Sequence, residues 1–173
     1  MIRAYIGLGS NLADPVAQVR AALRALTALP HSRLAGQSPL YRSAPVGPQD
    51  QPDFINAVAA LDTSLPPLAL LDALQALEQA AGRERLRPWG ERTLDLDLLL
   101  YGDQHIATPR LTVPHPHLHE RAFVLVPLAA LAPDLRLPDG QPITHWLAQC
   151  NRDDVWYYDG RVDGRDSPGG GRG

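Results

Sequence analysis

A chain of 173 residues with 45% apolar content is long enough to bury one sizeable core and too short for several domains. Its net charge of −3 excludes a generally basic surface that would coat nucleic acid. Its one cysteine, Cys150, excludes an internal disulfide framework and a cysteine-based zinc site.

Nothing at the N-terminus resembles a signal peptide, and no run approaches the ~18 apolar residues of a membrane span. A cytoplasmic protein with no membrane and no nucleic-acid partner is therefore expected. All 16 basic residues are arginines. A genomic bias towards Arg codons explains this best, although guanidinium also supplies the planar fork that grips phosphate.

Ile2, Ala4, Ile6 and Leu8 alternate with Arg3, Tyr5 and Gly7, which predicts a first strand. In Gly7-Leu-Gly9-Ser-Asn11, Leu12 stands where a dinucleotide fingerprint needs a third glycine, so the segment reads as a tight turn into a helix. Asp14 caps that helix and Pro15 suits its first position. Val16, Val19, Leu23 and Leu26 fall at helical spacing, with Arg20 and Arg24 facing away.

Pro30 and Gly36 punctuate the next section, in which Leu34 and residues 38–42 read as an extended strand. It leads into Ser43-Ala-Pro45-Val-Gly47-Pro-Gln-Asp-Gln-Pro52, a loop that packs on a surface or lines a site. Phe54 to Leu61 predicts a second long strand carrying a polar Asn56. That Asn is either satisfied by neighbouring backbone or reads the edge of a heterocycle.

Pro66 and Pro67 open a second helix with Leu68, Leu71, Leu74 and Leu77 on one stripe, and Gly82 ends it. Glu78, late on this helix, is either a surface carboxylate paired with an arginine or a site residue. Arg83, Arg85, Arg87 and Arg92 follow, with Trp89 and Gly90 among them.

The next segment carries the strongest signal. Leu94, Leu96 and Leu98 alternate with Thr93, Asp95 and Asp97, so on a strand the two aspartates share one face and the leucines the other. Asp is a poor strand residue, and two like charges about 6–7 Å apart call for something positive between them. Oxygen-only ligands favour Mg²⁺ over zinc. Acidic pair, arginine cluster and aromatic together suit a metal-bound polyphosphate and a flat ring.

A turn is predicted at Gly102-Asp103. His115, His117 and His119 alternate, but Pro114 and Pro116 prevent a regular strand and no ligand spacing supports zinc. One histidine with Arg121 acting on phosphate is the better reading, leaving His117 and His119 as exposed loop residues. Residues 123–133 read as a short helix packed on the sheet, 138–140 as a turn, 143–150 as a closing helix and 153–158 as an edge strand. Residues 164–173 are low-complexity and expected to be disordered.

The order strand, helix, strand, strand, helix, strand predicts an α+β fold. This is a ferredoxin-like βαββαβ core with a mainly antiparallel sheet and both main helices on one face. The aspartates and long loops would occupy the other face. Residues 1–150 form the expected domain and 151–173 a C-terminal extension.

Several segments, in order, resemble the 6-hydroxymethyl-7,8-dihydropterin pyrophosphokinase family of folate biosynthesis. They are Gly9-Ser-Asn11, Tyr41-Arg-Ser-Ala-Pro45, Gly47-Pro-Gln-Asp-Gln-Pro-Asp-Phe-Ile-Asn56, Gly82-Arg83, Trp89-Gly-Glu-Arg92-Thr-Leu-Asp95-Leu-Asp97, Arg110-Leu-Thr-Val-Pro-His115 and Arg121-Ala-Phe123.

The resemblance implies transfer of the β,γ-pyrophosphoryl group of ATP to the pterin hydroxymethyl oxygen, with two Mg²⁺ ions held by Asp95 and Asp97. It implies phosphate contacts from Arg83 and Arg92. Gln75, Glu78, Arg85, Trp89, Leu98, Arg110, Thr112, His115 and Arg121 would complete the ATP site. Ser43, Pro45, Val46, Phe54, Asn56, Trp89 and Phe123 would form the pterin site. Only small-molecule partners are implied, and a monomer is expected. Two other readings use the same carboxylates or loops: a Mg²⁺-dependent phosphohydrolase, and a catalytically silent nucleotide-binding module.

Overall fold

The computed structural model describes residues 1–45, 49–82 and 93–158. Strand β1 (Ile2–Ser10) leads to helix α1 (Pro15–Thr27), then β2 (Ser32–Gln37), β3 (Tyr41–Ser43), β4 (Phe54–Thr63), α2 (Pro67–Ala80) and β5 (Asp95–Tyr101). A short hairpin of β6 (Ile106–Ala107) and β7 (Thr112–Val113) follows, then a 3-10 turn at Leu118–Glu120. The described chain closes with α3 (Ala122–Leu131), α4 (Ile143–Leu147) and β8 (Val155–Tyr157).

The main sheet runs β5-β1-β4-β3-β8, with β2 also on β4, and every pairing is antiparallel. This is the expected ferredoxin-like order, with α1 and α2 on one face. Ala4, Ile6 and Leu8 of β1, Leu94, Leu96 and Leu98 around β5, and the odd-numbered residues 55–61 of β4 meet Val19, Leu23, Leu26, Leu70 and Leu74 in one core. On the other face Tyr5, Val58, Ala60, Leu99 and Leu100 pack against Leu125 and Leu128 of α3 and Ile143 of α4. The helix read over 123–133 thus covers part of the face that carries the aspartates.

The caps follow the sequence. Asp14 stands in the left-handed region and accepts from the Ala17 N–H, with Pro15 in the first turn. Gly82, at φ 75°, receives the end of α2, its N–H bonded to the Gln79 carbonyl at 3.0 Å. The turns at Gly102 and at 138–140 are present, with φ 57° at Gly102 and 88° at Gly140. The closing helix is shorter than 143–150, ending at Leu147.

Four expectations need correction. Gly7 and Gly9 lie inside β1, not in a turn, and pair with both neighbouring strands. The extended segment 38–42 is broken: Ser38 takes both backbone groups of Val58, through its N–H at 2.8 Å and its Oγ at 3.0 Å. Pro39 then cannot donate to the ladder, so β2 and β3 are separate strands. On α2 the buried stripe is Leu70, Leu74 and Glu78, an i, i+4, i+8 row, while Leu68 is 40% exposed. His119 is not a free loop residue: its ring packs on Trp146 at 4.3 Å and meets Asp139 Oδ2 at 3.3 Å.

Candidate active site

The aspartates stand where alternation places them. Leu94, Leu96 and Leu98 enter the α1/α2 core, so Asp95 and Asp97 take the opposite face, each half-buried. The register across β1 sets what lies beside them. Asp97 is opposite Gly7, and Asp95 is opposite Gly9. Neither puts a side chain beside the carboxylates: Leu99 packs over Gly7, with Cδ2 3.4 Å from where a Cβ would lie, and the Asn56 amide and Phe54 ring border Gly9.

The same row continues across the sheet. Gly9 pairs on its other side with Asn56, and Asn56 with Tyr41. Asn56 therefore lies two strands from Asp95, about 10 Å away at the usual strand spacing. It is buried, and its Nδ2 donates to Ser43 Oγ at 2.6 Å. Asn56 is thus held by a side-chain partner rather than by neighbouring backbone alone. Phe54 borders the same row, with Cδ2 3.8 Å from where a Cβ on Gly9 would sit.

Past Asp97 the strand slips phase. Tyr5 pairs with Leu100 but Ile6 with Leu98, so Leu99 is an extra residue. The bulge turns both Leu99 and Leu100 towards α3 and returns Tyr101 to the α1/α2 core. The Leu99 carbonyl accepts from the His115 N–H at 3.0 Å, which ties the histidine segment to the end of the aspartate strand.

His115 is half-buried, and its Nδ1 accepts from the His117 N–H at 3.2 Å. That bond puts the neutral ring's proton on Nε2. Burial first, then the Arg121 guanidinium and His117, hold its pKa down to about 4. Arg121 precedes α3, its carbonyl accepting from Val124 and Leu125 at 3.0 and 2.9 Å, and its guanidinium lies 5.7 Å from the Phe123 ring centroid. His117 instead faces Glu120 at 3.3 Å.

A second group lies along α2. Arg110 Nη2 donates to Asp72 Oδ1 at 2.6 Å and to Gln75 Oε1 at 3.2 Å. Glu78 is not a surface carboxylate. It is buried, and its Oε2 accepts from the Leu96 N–H at 2.7 Å, between the two aspartates. Leu98 has its side chain in the core, and backbone alternation turns its N–H and C=O outward like those of Leu96. Thr112 is exposed on β7.

The loop beside Asn56 is held from beneath. Asn11, also buried, donates through Nδ2 to Gln51 Oε1 at 2.9 Å and to the Pro52 carbonyl at 3.0 Å. Gln49 Nε2 donates to the Pro45 carbonyl at 2.9 Å.

The structure thus brings together Asp95, Asp97 and Asn56 on one face, Gln75 with Arg110, and His115 with Arg121 and Phe123. Val46, Arg83, Arg85, Arg87, Trp89 and Arg92 lie outside the described residues. Sequence reading missed the role of Gly7 and Gly9. Their i, i+2 spacing inside an apolar alternation was the available signal.

Known proteins resemble the chain along most of its length. The family model described as 7,8-dihydro-6-hydroxymethylpterin-pyrophosphokinase (HPPK) matches residues 5–133. The 2-amino-4-hydroxy-6-hydroxymethyldihydropteridine pyrophosphokinase of Pseudomonas aeruginosa is 62% identical over 148 residues, covering 86% of this chain and 91% of that one. The protein of the same name from Haemophilus influenzae is 56% identical over 149 residues, covering 86% and 93%. In fold, the chain is similar to the wild-type Plasmodium falciparum HPPK-DHPS crystallised with pteroate, at a TM-score of 0.68 and 13% identity. That match covers 86% of this chain and 42% of the longer one.

Proposed function

The chain belongs to the 7,8-dihydro-6-hydroxymethylpterin-pyrophosphokinase family, and from that membership we propose how its residues divide the work. The protein transfers the pyrophosphoryl group of ATP to 6-hydroxymethyl-7,8-dihydropterin in folate biosynthesis. Removing that group from ATP leaves AMP. The observation that carries the assignment of residues is the shared face: Asp95 and Asp97 pair with Gly9 and Gly7, with Asn56 at the far end of the Asp95–Gly9 row.

The donor set fits a hard divalent cation, being two half-exposed carboxylates on one face of β5. Asp95 and Asp97 would hold two Mg²⁺ ions, which when bound neutralise charge on the triphosphate. Glu78 holds the strand that carries both carboxylates. Gln75, Arg110, Thr112 and the Leu98 main chain take the nucleotide. His115, neutral and protonated on Nε2, donates to a phosphate oxygen, and Arg121 adds a fixed positive charge beside it. Arg83, Arg85, Trp89 and Arg92 are assigned to ATP by the family resemblance, with Arg83 and Arg92 on the phosphates.

On the pterin side, Asn56 hydrogen-bonds the heterocycle while Phe54, Phe123 and Trp89 pack against its ring. Ser43, Pro45 and Val46 line its edge. Phosphoryl transfer asks for in-line positioning and charge stabilisation more than for a strong base, and these residue types supply both. Small-molecule substrates and a site assembled within one chain fit a monomer, and the use of ATP fits a cytoplasmic location.

The test is one incubation of the protein with ATP, Mg²⁺ and hydroxymethyldihydropterin. AMP that appears only with pterin is expected. ADP formed without pterin would indicate a phosphohydrolase, and tight ATP binding without products a silent nucleotide-binding module.

A further inference from the structure

We infer that strand β8 is a positioning element of the pterin subsite, acting through the main chain at Ser43 and Ala44 and through Trp156 beneath it. The inference rests on the assignment of Ser43, Phe54 and Asn56 to the pterin.

Strand β3 is only three residues long, cut off from β2 by Ser38 and Pro39, and it carries Ser43. One of its edges lies on β4, where Ser43 pairs with Phe54 and Tyr41 with Asn56. Its other edge is taken wholly by β8, which pairs Tyr41 with Tyr157, Arg42 with Trp156 and Ser43 with Val155. The bonds continue past both ends of the strand. The Ala44 N–H donates to the Asp154 carbonyl at 3.0 Å, and the Tyr158 N–H to the Leu40 carbonyl at 3.0 Å. A three-residue strand held on one side only is a weak support. Here Tyr41–Ser43 is held on both, and the β8 side also holds Leu40 and Ala44.

The two faces of this ladder do different things. On the face of the site, the Tyr41 and Tyr157 rings meet edge to face with centroids 5.9 Å apart. On the opposite face, Arg42 reaches Asp53 Oδ2 at 3.4 Å, and its guanidinium lies 5.7 Å from the Trp156 ring centroid. Asp53 immediately precedes Phe54. Trp156 therefore lies against the arginine of the ion pair that joins the pterin-facing ends of β3 and β4. Ser43 Oγ in turn fixes the Asn56 amide, so a shift of β3 reaches the group that reads the heterocycle.

The experiment compares steady-state constants of the full chain with those of Trp156→Ala and Trp156→Phe. Trp156→Ala is expected to raise the pterin KM tenfold or more while the ATP KM stays within twofold, and Trp156→Phe to restore most of the loss. Amide exchange at Ala44 is expected to speed up while the β1 and β4 amides stay protected. If Trp156→Ala does not fold, Trp156→Leu, which removes the ring over Arg42 but keeps an apolar side chain there, is read the same way. A pterin KM within twofold of the parent, or both KM values rising together, would overturn the inference. Asn56→Ala tests the underlying assignment separately: if it leaves the pterin KM unchanged, the pterin subsite itself has been misplaced.

Discussion

Asn56 Oδ1 stands 3.2 Å from the point where a Cβ on Gly9 would lie, across the β1–β4 pair. The Asn56 side chain has no easy retreat, because its Nδ2 is held by Ser43 Oγ at 2.6 Å. Gly9→Ala should therefore displace the amide by a few tenths of an ångström and weaken the hydrogen bond proposed between Asn56 and the pterin. A loss of about 1 kcal/mol corresponds to roughly a fivefold rise in pterin KM. Gly7→Ala is the control. Its Cβ would meet Leu99 Cδ2 at 3.4 Å, an ordinary contact, so pterin KM should stay near the parent value.

The carboxylates give the sharpest prediction. Asp97→Ala should lower turnover on the order of 10²–10³-fold or more, as removal of a charge-stabilising group does. Its thermal midpoint should stay close to that of the parent, since Asp97 faces out from the α1/α2 core. Chelation with EDTA should abolish AMP formation, and added Mg²⁺ should restore it. Near-normal turnover of Asp97→Ala would remove the metal assignment.

Glu78 separates support from chemistry. Its Oε2 meets the Leu96 N–H at 2.7 Å inside the protein, so Glu78→Ala leaves a buried donor without that acceptor. That should cost about 1–3 kcal/mol in urea unfolding. Glu78→Gln keeps an oxygen in place and should recover most of both stability and activity. Equal damage from the two variants would mean that the charge, not the bond, matters.

The pH dependence of stability has a definite direction. His115 titrates near 6.5 when unfolded and about 4 when folded, so between those values the unfolded chain binds the extra proton. Stability is therefore full above about pH 6.5 and declines as pH falls towards 4. The gap is worth at most about 3 kcal/mol, and solvent reaching part of the ring reduces it to about 1–2 kcal/mol. Urea midpoints of the parent and of His115→Asn should converge as pH drops through this window. Parallel profiles would contradict the burial argument.

Much of this was legible in the residues because periodicity is local. The alternation of Leu94, Leu96 and Leu98 with the two aspartates, and the Asp14-Pro15 cap, each depend on neighbours a few positions away. What was not legible depends on distant partners. Nothing near Leu99 announces the bulge, which answers to packing against α3 and β1. Gly7 and Gly9 look like a turn until two strands flank them. Glu78 looks like a surface acid until the outer edge of β5 supplies an N–H. His119 looks like an exposed loop residue until Asp139 and Trp146 arrive from twenty and more residues downstream.

One arrangement on β5 has a consequence for solubility. A seven-residue, largely apolar strand at the margin of a sheet is a template on which another molecule's strand can grow. Here the Leu96 N–H already belongs to Glu78 and the Leu99 carbonyl to His115. The two bonds that brace the aspartate strand thus also withhold those two groups from the strand of a second copy.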